Sequence, residues 1–281
     1  MPVQIIHDNY GKSRVRLIKV ARSGDRRELQ NITLNIAFEG DFDAIHRLGD
    51  NRLCLPTDTM KNTVYALAGE TTEIEEIEAF GQRLTSYFLD NNAQVSRVII
   101  DIFETGWKRM KFGGAEHSHA FVKGSNERRT TTISASRNGV TIESGVDDLI
   151  VLKTTESGFV GFIKDRFTTL PETTDRIFST AIKATWRYKN AESATGAAFQ
   201  AIRQTMLKVF ADHDSLSVQH TLYAIGEAIL DEFSYVDEIA ISMPNIHCLP
   251  VDMTKFGQTN DNRIFVPTDE PHGLIEARLI R

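Results

Sequence analysis

Two cysteines in 281 residues, Cys54 and Cys248, are too few for a disulfide framework, and their scarcity suits a reducing compartment. No apolar run reaches the roughly 18 residues that a membrane-crossing helix needs. Met1 to Tyr10 lacks the apolar core of a signal peptide, and the C-terminal Leu279-Ile280-Arg281 is not a peroxisomal tripeptide, so a cytoplasmic protein is expected. There is no surplus of positive charge either. A net charge of -6 argues against general binding to nucleic acid or to an anionic membrane, so an anionic ligand would have to be attracted by local residues. Low-complexity tracts and a disordered tail are also missing. What remains, 41% hydrophobic and 25% charged residues, describes a soluble chain able to bury a large core, as one big domain or two of ordinary size.

The pattern of elements reads as the same unit twice. Val15 to Val20 reads as a strand, and Ile32, Leu34, Ile36 and Phe38 alternate at a period of two, which predicts a long antiparallel hairpin. A helix over Thr59 to Ala68 follows. A second, with Ile74, Ile77, Phe80, Leu84 and Phe88 on one face, spans about Thr72 to Asp90. Val98, Ile100 and Ile102, then Ala120 to Val122 and Thr130 to Ile133, restore strand periodicity and close the unit near Gly139. The second half repeats this, with strands at Ile150 to Thr154 and Ile177 to Tyr188. Helical stripes through Phe199 to Phe210 and Val218 to Phe233 follow, then strands at Ile239 to Met243 and Leu274 to Ile280. No residue-level repeat accompanies the duplication. The expected class is α+β, with units 1–139 and 140–281, each an antiparallel ββααββ sheet with helices on one face. Short sheets of this kind finish burying themselves by closing into a barrel between subunits, so an oligomer is expected.

The stretch Cys54 to Tyr65, C-L-P-T-D-T-M-K-N-T-V-Y, concentrates candidate chemistry. Pro56 stops the extended segment before it. Thr57 and Asp58 are N-cap types, so a helix start would hold a hydroxyl and free backbone donors beside whatever docks there. Read alone, the pair merely caps a helix.

Further motifs change that reading. Tyr10-Gly11-Lys12 precedes the first strand. Ser157-Gly158-Phe159-Val160-Gly161-Phe162, then T-T-L-P-E-T-T-D-R over Thr168 to Arg176, then Ser217-Val218-Gln219 and Pro244-Asn245-Ile246-His247 follow in order. Together with T-D-T-M-K-N-T they resemble the urate oxidase (uricase) family from Tyr10 to the end of the chain. The resemblance implies two tandem tunnelling-fold units in a homotetramer, with active sites shared between chains. It further implies conversion of urate, dioxygen and water to 5-hydroxyisourate and hydrogen peroxide with no metal or organic cofactor.

Carried over by position, the resemblance implies that Phe159 stacks on the purine and that the planar fork of Arg176 grips its edge. Gln219 offers a donor and an acceptor to the opposite edge, and the backbone N–H groups of Val218 and Asp58 complete the clasp. Lys12 and Thr57 form a proton-relay dyad with His247 close by, and Asn245 with Thr57 holds oxygen or the attacking water. The lysine can serve as a base only if burial or a cationic neighbour such as Arg176 or His247 lowers its pKa. Read in isolation, Phe159 would be core, Arg176 a surface ion pair with Asp175, Lys12 a solvated charge and His247 a structural imidazole. Pro56 and Cys248 supply no catalytic group and read as packing variation. Two rivals remain. In one, His117, His119 and His247 bind zinc on the same architecture, as in relatives that act on pterins. In the other, the protein binds a purine without turning it over.

Overall fold

The computed structural model describes residues 3–281, which divide into two compact units. One holds the chain up to Gly145 together with Arg187–Gly196. The other holds Val146–Trp186 and Ala197–Arg281.

The first unit opens with β1 (Tyr10–Ser23) and β2 (Arg26–Gly40), a hairpin paired from Ser23↔Arg26 out to Tyr10↔Phe38 with one register shift between Lys12 and Val15. A short helix, α1 (Asp43–Leu48), then α2 (Thr57–Gly69) and α3 (Ile77–Asn91) follow. The long strands β3 (Val95–Phe112) and β4 (Ala115–Ser136) come next, and β5 (Gly139–Lys153) begins in this unit. The sheet order is β1-β2-β3-β4, antiparallel throughout. Alternation decides which face is covered: Ile32, Leu34, Ile36 and Phe38 of β2 and Val98, Ile100 and Ile102 of β3 are all at most 2% exposed. Against them lie Met60 and Val64 of α2 and Ile77, Leu84 and Phe88 of α3, all fully buried. Each such side chain contributes roughly 1.5–3 kcal/mol by leaving water. At Gly81 the helix comes so close to the sheet that a Cβ would overlap the Ile133 side chain.

The second unit continues with β6 (Phe178–Tyr188), α4 (Gly196–Asp212), α5 (Val218–Glu232), β7 (Val236–Pro250), β8 (Phe265–Thr268) and β9 (Leu274–Ile280). The first part of β7 pairs with β9 and its last part with β8, both antiparallel. Trp186 stacks on Phe199, and Ile202, Met206, Leu222, Ile225 and Ile229 fill the core between helices and sheet.

Mixed α+β architecture with antiparallel strands is as the sequence leads one to expect. Some bounds differ for physical reasons. The helix expected from Thr72 begins only at Ile77. A helix from Thr72 would set Glu73 beside Glu76 and Glu75 beside Glu78, like charges three residues apart, and Arg83 instead gathers Glu75 at 2.5 Å and Glu70 at 3.1 Å outside the helix. The helix expected from Thr59 starts at Thr57. Elements α1 and β8, of six and four residues, are too short to carry a periodic signal. Among the described residues no helix is long and apolar enough to cross a membrane.

Candidate active site

Lys12 sits on β1 opposite Ile36 of β2. Between Lys12 and Val15 the ladder breaks in a bulge. Arg14 there adopts the left-handed region (φ 58°), and its N–H donates to Asn35 Oδ1 at 2.9 Å. A non-glycine residue in that region costs energy, and a bulge re-aims the side chains beside it. Ahead of it, Gly11 runs so close to β2 that a Cβ would overlap the Ile36 carbonyl.

Thr57 is the first residue of α2. The N-cap position belongs to Pro56, whose ring has no hydrogen-bonding group to offer, so Thr57 and Asp58 do not cap the helix as their types suggest. Asp58 instead accepts from Lys61 Nζ at 2.6 Å and Asn62 Nδ2 at 3.0 Å. Lys61 is the main cause holding the Asp58 carboxyl below the usual carboxylate range, and the charge of Lys12 adds to it. Lys12 is thus near the start of α2, and the Thr57 hydroxyl, half-buried, is not spent on capping.

The second group of residues stands in the other unit. Phe159 is half-exposed rather than core, paired through its backbone with Thr173 (2.7 and 3.1 Å) and stacked on Phe162 at 4.8 Å. Arg176 donates its backbone N–H to Ser157 at 2.8 Å, which sets its guanidinium 5.4 Å from the centre of the Phe159 ring. Its neighbour Asp175 takes the Thr155 hydroxyl at 2.9 Å. Among the described residues no carboxylate pairs with Arg176, and its Nε is buried with no hydrogen-bond partner. Burial pushes the guanidinium pKa down, yet a guanidinium stays a cation at neutral pH. Asn245 and His247, two apart on β7, share a face; Asn245 Nδ2 lies 3.3 Å from His247 Nδ1 and donates to it when the imidazole proton is on Nε2.

Phe159, Arg176, Asn245 and His247 line one cavity of about 320 Å³, within the range of small-molecule sites. Val218 and Gln219 do not line it. They form the first turn of α5, whose N-cap Ser217 accepts from His220 N at 3.1 Å. The same segment is sewn to the Phe159 loop by Gly158 N–H to Ser215 O (2.8 Å) and Ser215 N–H to Glu156 O (2.9 Å). Cys248 also lines the cavity, and burial raises its thiol pKa, so it is neutral there. Leu249, Pro250, Asn262 and Phe265 also line the cavity and escaped sequence reasoning; Phe265, for one, belongs to the short β8, which gives no signal. The pair expected at one strand, His117 and His119, stacks edge to face at 4.6 Å, and His117 Nδ1 accepts from Ala120 N at 3.1 Å. Among the described residues no three His, Cys, Asp or Glu side chains gather as a metal site would need.

A profile of the family described as Uricase matches residues 8–134 and 142–276. The chain belongs to the uricase family. It is 40% identical to a uricase of Arthrobacter globiformis over 98% of this chain and 89% of that protein, and 38% identical to one of Danio rerio over 99% and 95%. The crystal structure of the Arthrobacter globiformis uricase superposes with a TM-score of 0.95 at 39% identity, covering 100% of this chain and 96% of that one. A hyperthermostable mutant of Bacillus sp. TB-90 urate oxidase, at 24% identity and a TM-score of 0.84, shares the fold, covering 98% and 99% of the two chains. The uricase family profile spans all nine candidate site positions, from Lys12 to His247.

Proposed function

We propose that this protein oxidises urate with dioxygen and water to 5-hydroxyisourate and hydrogen peroxide, the first step of urate degradation, in the cytoplasm and without a metal or organic cofactor. The observation that carries the reading is the guanidinium of Arg176, buried at Nε and unmatched by any carboxylate, above the Phe159 ring in the cavity. A half-buried cation without a counter-ion is costly, and a planar anion that accepts two parallel hydrogen bonds while stacking on an aromatic offsets that cost. Urate is such an anion.

Turnover requires a further proton to leave the urate monoanion, which makes the ring electron-rich enough to reduce dioxygen directly. Lys12 takes the Thr57 hydroxyl proton, and Thr57 relays it from the substrate. Asn245 and Thr57 hold dioxygen and then the attacking water above the ring, with His247 steering the water through its bond to Asn245. Dioxygen takes two electrons and two protons and leaves as hydrogen peroxide, while water adds its hydroxyl at C5 of the oxidised ring. Gln219 with the N–H groups of Val218 and Asp58 holds the remaining edges. The protein works as a homotetramer of tunnelling-fold units, the sheets closing into a barrel between subunits and each site drawing residues from neighbouring chains. The unpaired Cys54 and Cys248 suit the cytoplasm.

The test is urate absorbance and oxygen uptake recorded together in chelator-treated protein, with peroxide assayed at the end. One oxygen consumed and one peroxide formed per urate supports the proposal. Turnover that vanishes when stoichiometric zinc is removed and returns when it is restored would overturn the cofactor-free part, and no loss of urate would overturn the whole.

A further inference from the structure

We infer that Tyr10 is a positioning residue for the proton relay, an inference that rests on the reading of Lys12 and Thr57 proposed above. The Tyr10 hydroxyl accepts from Leu55 N–H at 3.0 Å. Tyr10 stands two residues before Lys12, and Leu55 two residues before Thr57. One bond therefore ties the two segments at equal distances upstream of the two members of the dyad.

Both two-residue spans are stiff, so a tie at their start fixes their ends. On the strand side, Tyr10↔Phe38 and Lys12↔Ile36 are in register, and between them Gly11 is pressed against the Ile36 carbonyl. Alternation puts Tyr10 and Lys12 on the same face of β1. On the helix side, Pro56 holds its φ at -57° by its ring, and its carbonyl accepts the first helical bond from Met60 N–H at 3.2 Å. The Tyr10 ring is itself anchored, edge-on to Phe42 at 4.7 Å and to Phe38 at 5.9 Å, both fully buried. Burial, with Cys54 alongside, pushes the phenol up to about 12, so the hydroxyl stays neutral wherever the enzyme works. Without this tie, Leu55 N–H loses its partner, and the segment that places Thr57 is free to shift relative to β1. A displacement of about 1 Å between reacting groups can cost about 100-fold in rate.

Tyr10→Phe keeps the ring contacts and removes only the oxygen. The expected result is a kcat lower by about 10- to 100-fold, with affinity for xanthine, a purine lacking the C8 oxygen, changed less than about 2-fold. In a Thr57→Ala background the same substitution is expected to cost nothing further, because it acts through Thr57. Amide hydrogen exchange over Leu55 to Met60 is expected to be about 10-fold faster in Tyr10→Phe. If the wild type consumes urate and Tyr10→Phe matches it, or if the loss is undiminished in the Thr57→Ala background, the inference is overturned. If the wild type consumes no urate, the functional reading fails instead, and exchange over Leu55 to Met60 alone decides whether Tyr10 holds this segment: unchanged exchange overturns it.

Discussion

Around Thr57 the charges of Asp58 and Lys61 are matched by their bond at 2.6 Å, with Lys12 close by. Around Arg176 they are not: the guanidinium has an aromatic face and a buried, unpartnered Nε, but no carboxylate. The first region is organised by backbone devices, a bulge after Lys12, a proline at the helix start and the Tyr10 bond to Leu55. The second is organised around one uncompensated charge. Matched charges leave a region indifferent to the charge of its ligand, whereas an unmatched one selects an anion. The contrast suggests that holding the substrate and moving its protons are separable tasks.

The largest expected effect tests the first region. Thr57→Ala and Lys12→Met should each lower kcat by roughly 100- to 10,000-fold while xanthine still binds, because proton transfer matters only once the substrate reacts. The double variant should lose little more, since the two groups act as one unit. A steady-state comparison of the three variants decides this, and a change confined to KM would assign the dyad to pocket shape.

Arg176→Ala should break the second region in the complementary way. Removing one partner of charged hydrogen bonds worth roughly 1.5–3 kcal/mol should raise KM by about 10- to 150-fold, with kcat falling less than in the dyad variants. Titration with xanthine should show the same loss. Equal affinity in Arg176→Ala and wild type would mean that the unmatched charge does no binding.

A smaller effect concerns pH, and belongs to the second region alone. Burial lowers the His213 pKa, helped by His220, whose Nδ1 is 3.2 Å from His213 Nε2, and by Lys153; Asp214 opposes them. A folded value below the unfolded one means that the stability this imidazole contributes is present above about pH 6.5 and is lost as pH falls through the folded value. Because His213 is only partly buried and solvent screens its charge, the loss should be under about 1 kcal/mol. Urea unfolding at pH 7.5 and 5.5 should show His213→Gln less acid-sensitive than wild type, and parallel behaviour of the two would refute the assignment.

Smallest of all should be Asp58→Asn. Its ion pair with Lys61 is exposed and screened by solvent, so melting temperature should barely move. A severe loss of activity would show that the first region depends on its carboxylate and is not as indifferent to charge as its pairing suggests.

Much of this was legible in the order of residues. The period-two run Ile32 to Phe38 announces a strand with one buried face, and all four positions are buried. The stripe from Ile77 to Phe88 places α3, and the motifs that hold Phe159, Arg176, Asn245 and His247 mark side chains that line one cavity. Other features were hidden. Thr57 and Asp58 look like caps, but helix starts compete for adjacent residues, and here Pro56 takes the N-cap position. Asp175 beside Arg176 suggests an ion pair, yet Asp175 turns to Thr155, a choice made by tertiary context. Leu55 N–H meeting Tyr10 links residues 45 apart in sequence, which no local pattern encodes.

The close approach at Gly11 also bears on how the strand finds its register. Sliding β1 by one residue along β2 would bring the Cβ of Tyr10 or of Lys12 to the Ile36 carbonyl, where only hydrogen fits. The mispaired hairpin is therefore rejected by hard contact before any helix has docked. Residue 11 in this sense proofreads the alignment on which Lys12 depends, and randomising it should yield chains that misfold or aggregate rather than enzymes with altered kinetics.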